Sequence, residues 1–127
     1  MLIVFPAQAK ECGTVRWFVK IGIDNDAQSI ILDKKHRATI NSLSRKKPPK
    51  QHPKSARVKP TELTLYEVTA TLTDYKRSQD DRDYHIVLDD GKGHTMIAEI
   101  PDPGCVRDRG PLVSYIKRAR QQFDAEY

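Results

Sequence analysis

Asp83 and His85 stand two residues apart in a segment that alternates like a β-strand, so a carboxylate and an imidazole share one face. A hairpin centred on Gly91 would oppose Asp83 to Glu99 and His85 to Ile97 on the following strand. Asp83, His85 and Glu99 converging at a sheet surface could hold a divalent cation or position a hydrolytic water, as in metal-assisted phosphodiester cleavage. Asp102, just past the second strand, is a candidate fourth ligand, although Pro101-Asp102-Pro103 is equally a turn. Two carboxylates placed directly opposite each other repel, so a solvated polar strand face is the plainer reading of the same residues. The chain has no nucleophile elbow, phosphate-binding glycine loop or His-Glu-x-x-His helix. Gly91-Lys92-Gly93 joins strand to strand, whereas a phosphate loop joins strand to helix. Serine hydrolase, NTPase and dinucleotide oxidoreductase chemistries are therefore excluded.

A second kind of chemistry is electrostatic. Across 127 residues, 22 Lys+Arg against 17 Asp+Glu give a net charge of +5. The excess is local: residues 34–59 hold ten basic side chains and no acidic one, which leaves the rest of the chain at −5. Arg37, Arg45, Lys46, Lys47, Lys50 and Lys54 are the candidate contacts to a polyanion, a nucleic acid or polysaccharide, through counterion release. Pro48, Pro49, Pro53 and Pro60 oppose helix and sheet interior there. Ala56 and Val58 are the only non-proline apolar residues of 44–59, so residues 44–60 read as an exposed basic, proline-rich loop. A solvated linker without a partner is the competing reading. No aromatic residue interrupts the run, and single-strand binders interleave stacking platforms with their cations.

Cys12 and Cys105 are the only cysteines and stand near the two ends of the expected domain. In an exported protein one bond between them would close a loop of about 94 residues, worth ~4–5 kcal/mol in the chain-entropy model. In a cytoplasmic protein they would remain separate buried thiols. Residues 1–5 are apolar, and Ala7-Gln8-Ala9 before Lys10 matches a signal-peptidase site, so residues 1–9 read as a truncated signal remnant, with a first strand as the alternative. The mature protein is then a single domain over 10–127.

These groups need elements to position them. Thr14 to Lys20 reads as a strand with Val15, Trp17 and Val19 on one face, and Trp17 as a core anchor. Asp24-Asn25-Asp26 makes a turn or helix start, Gln28 to Leu32 a short strand, and Thr39 caps a helical turn over 39–43. Residues 66–73 alternate as one strand, 74–82 form a charged loop, and 83–88 and 94–100 form the hairpin. Pro111 opens a helix whose apolar stripe is Leu112, Ile116, Ala119 and Phe123. A three-stranded meander followed by a helix predicts an α+β fold: a small antiparallel sheet, or an OB-like β-barrel, with one C-terminal helix packed on it.

The run from Asp83-Tyr84-His85 through Thr95-Met96-Ile97-Ala98-Glu99-Ile100-Pro101 to Cys105, with Trp17-Phe18-Val19-Lys20 and Cys12 upstream, resembles a group of small, uncharacterised exported bacterial proteins. That resemblance implies export to the periplasm or beyond, and a cysteine pair. It implies no activity. The leading expectation is a non-enzymatic, exported, OB-like binding module for an anionic ligand, without a cofactor. A metal-dependent hydrolase and an envelope protein-interaction domain are the alternatives.

Overall fold

A computed structural model describes residues 15–106 and 110–127. The fold is α+β: helical turn α1 (Trp17–Lys20), strand β1 (Lys35–Ala38), helical turn α2 (Ile40–Ser44), strands β2 (Leu65–Val68), β3 (Thr71–Arg77), β4 (Tyr84–Asp89) and β5 (Thr95–Ile100), and helix α3 (Val113–Glu126). β3, β4 and β5 form the expected antiparallel meander, while β1 and β2 pair in parallel as a separate two-stranded sheet. The meander and α3 match the expected α+β fold, and the described strands pair as two sheets.

Several expected elements are corrected. Residues 15–20 are a turn and a helical turn, because Arg16 adopts a left-handed backbone (φ 50°, ψ 40°) that breaks an extended run. The expected strand over 28–32 is replaced by a 3-10 turn at Asn25–Ser29, which buries Ala27 completely. The alternation over 66–73 is one pattern divided between two sheets: Tyr66 and Val68 pair with β1, and Leu72 pairs with β4. The period of two carries no mark of where the partner changes. β3 also runs on to Arg77 into the expected loop, with a bulge between Leu72 and Asp74.

Thr39 caps α2 as expected, its hydroxyl accepting from Ser42 N at 3.0 Å while the Ser42 hydroxyl accepts from Thr39 N at 3.0 Å. The β4–β5 turn is held by Asp90, whose carboxylate accepts from Lys92 N at 2.7 Å and His94 N at 3.1 Å. This wider loop moves the hairpin centre from Gly91 to Lys92. His85 therefore faces Glu99, and Val87 faces Ile97, while every side chain keeps its expected face.

Among the described residues the buried apolar side chains are Ile21, Ala27, Ile40, Cys105, Val106 and Phe123. α3 docks through Phe123, whose ring lies 4.6 Å from that of Tyr84 and 5.1 Å from that of Tyr75. Buried Arg120 stacks over Tyr84 at 3.8 Å and donates to the carbonyls of Arg82 and Ile100 at 3.1 Å each. Gly22 (φ 73°) lets the chain pass against Leu112, where an added Cβ would stand 2.6 Å from Leu112 Cδ1.

Candidate functional site

Asp83 lies just before β4 and is 1% exposed, as deeply buried as Ile40. A buried carboxylate requires a cation, and Lys20 at the end of α1 supplies it. Its Nζ lies 2.6 Å from Asp83 Oδ2, 3.0 Å from Asp81 Oδ2 and 3.4 Å from Glu99 Oε2. His85 Nε2 stands 3.3 Å from the other Glu99 oxygen. His85 and Glu99 line a cleft of about 600 Å3 together with Lys20 and Asp81, while Asp83 is buried behind the Lys20 ammonium. Lys20 occupies the position where a cation would sit, and among the described residues no group of three or more His, Cys, Asp or Glu is arranged to hold a metal ion. Of the three residues read as metal ligands, Asp83 and Glu99 thus meet Lys20, and His85 meets Glu99. Asp102 belongs elsewhere, ion-paired with Arg82 at 3.0 Å and accepting from Gly104 N at 2.8 Å as the cap of a short 3-10 turn.

The electrostatics follow from this packing. Burial alone would lower the Lys20 ammonium, but hydrogen bonds to Asp83 and Asp81 outweigh it and hold the group well above its ordinary range. Burial pushes Asp81 up, yet the hydrogen bond from Lys20 and that from Asp83 N bring it down to about 2. In Asp83 burial dominates and keeps the carboxyl above its ordinary value in spite of Lys20. The contacts of Lys20 tie α1 to the β3–β5 meander and the loop before β4.

The basic segment divides into two kinds of cation. Arg57 turns inward, its side chain 9% exposed, and forks onto Asp24 with Nε to Oδ2 at 2.9 Å and Nη2 to Oδ1 at 3.0 Å. Arg57 also donates to the Val19 carbonyl at 3.0 Å, and its backbone N donates to Asp26 at 3.0 Å. Arg16 performs the reciprocal task from the other side. It grips Glu62 through both oxygens at 2.7 and 2.8 Å and donates to the carbonyls of Pro53 and Ala56 at 2.8 Å each. Hydrogen bonding to Arg16 is the main cause holding Glu62 below its ordinary value. Residues 53–58 are thereby pinned to the domain, so the proline-rich loop is anchored at its C-terminal end.

The other candidates point outward. Arg45, Lys46, Lys47, Lys50 and Lys54 are all exposed. None of the five has a carboxylate partner among the described residues; Lys46 lies 5.8 Å from the centre of the Tyr66 ring. Arg37 on β1 is exposed and shares Glu67 with Lys35, both at 3.7 Å. Beside the pinned part of the loop, Val15, Trp17 and Phe18 line one side of a cleft of about 810 Å3, with His52, Lys54 and Ser55 on the other. The anticipated core anchor Trp17 is thus half-buried in a cleft wall.

Cys105 is buried and is not a free thiol. Cys12 and residues 1–9 lie outside the described residues. No helix among the described residues is long and apolar enough to cross a membrane. Comparison with family models, curated proteins and solved structures finds no match to this chain.

Sequence reasoning missed Lys20, Arg16 and the inward role of Arg57. The signal was absent locally: Asp81, a Lys20 partner, lies 61 residues away, and Asp24 lies 33 residues from Arg57. What the sequence did offer was the acidity of 80–83, which as a solvated loop needed no partner and as a packed one needed a cation.

Proposed function

We propose that this protein is a non-enzymatic binding module for a linear polyanion, engaged through Arg37 and the outward cations of the 45–54 loop. The observation that carries the reading is the division of labour within the basic segment. Within it Arg57 alone is buried in an ion pair, and the five cations from Arg45 to Lys54 are displayed to solvent without a carboxylate partner among the described residues. Anchoring by Arg16 and Arg57 restricts the loop, which lowers the ordering cost of binding relative to a free arm. Buried Cys105, without a free thiol, supports an exported protein in which it pairs with Cys12. The expected mass change on reduction of the native protein is a gain of two hydrogens, and an unchanged mass would remove the pairing.

Because the loop contains Arg57 and two carbonyl partners of Arg16, deleting it would break the domain; the proper test is charge removal in place. A variant with Arg45, Lys46, Lys47, Lys50 and Lys54 each changed to Gln is expected to stay folded and to lose affinity for an oligonucleotide and for heparin. Its salt dependence should flatten by about 0.7–0.9 of a log unit per log unit of salt for each phosphate-neutralising cation removed. An affinity and slope equal to those of the parent would sink the proposal.

A further inference from the structure

Resting on that reading, we propose that the cleft between α1 and the basic loop accepts an unpaired nucleobase of a single-stranded nucleic acid. Trp17 and Phe18 supply the stacking surface, and Lys54 with His52 faces the adjoining phosphate. The basic run lacks aromatic residues in sequence, and the fold brings them to it in space. Arg16 achieves this. Its guanidinium takes the carbonyls of Pro53 and Ala56 at 2.8 Å each, which sets the loop beside the residues that follow Arg16 in the chain. The cleft so formed has a volume of about 810 Å3, within the usual range for small-ligand sites, and Phe18 in its wall is 45% exposed.

Charge complementarity selects the occupant. An apolar peptide would leave Lys54 and the neighbouring Lys50 and Lys47 unanswered, and a polyanion without rings would leave the aromatic wall bare. Val15 and Phe18 are exposed apolar side chains of the same cleft, so a lipid surface is the competing occupant that the experiment below separates from a nucleic acid. A nucleotide strand answers both features, its bases stacking in the cleft while its phosphates follow the cations along the loop.

Trp17 is the only tryptophan, so its fluorescence reports on the cleft directly. The probe is an oligodeoxythymidylate of about 12 nucleotides, close to the site size of one small single-strand-binding domain. It should quench Trp17, whereas inorganic polyphosphate of equal charge and a blunt duplex should bind without quenching. Phe18→Leu, which keeps an apolar side chain but removes the ring, should weaken the oligonucleotide about tenfold or more, and Phe18→Tyr should retain it. Polyphosphate binding as tightly as the oligonucleotide, with neither quenching, would overturn the cleft assignment while leaving the polyanion reading intact. If no polyanion binds at low salt, both fall. A Trp17 response confined to phosphatidylglycerol vesicles would replace the nucleic acid with a lipid surface and overturn the inference.

Discussion

Arg57 and Lys50 belong to one basic, proline-rich segment, yet they perform opposite work. Arg57 is driven inward onto a fully buried Asp24 carboxylate, and Lys50 stands in solvent without an acidic neighbour among the described residues. Lys20 repeats the inward pattern at the C-terminal end of α1, between Asp81, Asp83 and Glu99. Two regions of similar charge are thus a structural clamp and a displayed surface. What separates them is whether a buried carboxylate is present to require the cation, since an unpaired buried charge costs several kcal/mol and an exposed one almost nothing.

Substitutions should expose that contrast in graded form. The largest effect is expected for Arg57→Ala, which leaves Asp24 buried and unpaired and should cost about 3–5 kcal/mol in urea denaturation. The double variant Asp24→Leu with Arg57→Met should recover most of the loss, because no buried charge then remains. If Arg57→Ala unfolds no earlier than the parent, the clamp reading of this pair is wrong.

Lys20→Met comes next, at about 2–3 kcal/mol near neutral pH, since Asp83 loses its cation while remaining beside Asp81. The pH profile distinguishes the two carboxylates. Asp81, held down to about 2 against an ordinary 3.8, binds fewer protons folded than unfolded in that window; its contribution is complete above the ordinary value and disappears as pH falls toward 2. Asp83 is shifted the other way, so the folded state takes up its proton first and this group gains relative stability as pH falls toward its unfolded value. Lys20→Met removes the largest of the causes that hold Asp81 down, so the acid limb of stability between about pH 4 and 2 should flatten in part relative to the parent. An unchanged acid limb would show that Lys20 does not hold the pair.

The smallest stability effect is expected on the displayed side. The charge-removal variant of Arg45 to Lys54 should change stability by no more than about 0.5 kcal/mol per site, even as its polyanion affinity falls. A large stability loss would place these cations with Arg57 and erase the comparison.

Legibility in the sequence followed the range of the interactions. The Thr39 cap and the β4–β5 hairpin rest on neighbours within a few residues and are observed; α3 begins at Val113, after Leu112, and of its expected stripe Phe123 is buried. The hairpin register slipped by one position at its centre because Asp90 gathers two backbone donors into a wider turn, a competition that alternation alone does not reveal. Asp83 is buried while His85 and Glu99 line a cleft, and the cation that joins Asp83 to Glu99 comes from α1, far away in the chain.

By itself the sequence determined that this chain forms an α+β domain with a meander and a closing helix, and that its positive charge is concentrated in one segment. Those properties follow from periodicity, turn chemistry and composition, which act locally. Only the tertiary structure decided which cations are spent on Asp24 and Asp83, where the strand over 66–73 changes partner, and that Trp17 and Phe18 stand beside Lys54. Each of these depends on desolvation and pairing between distant residues, and burial is a property of the assembled fold.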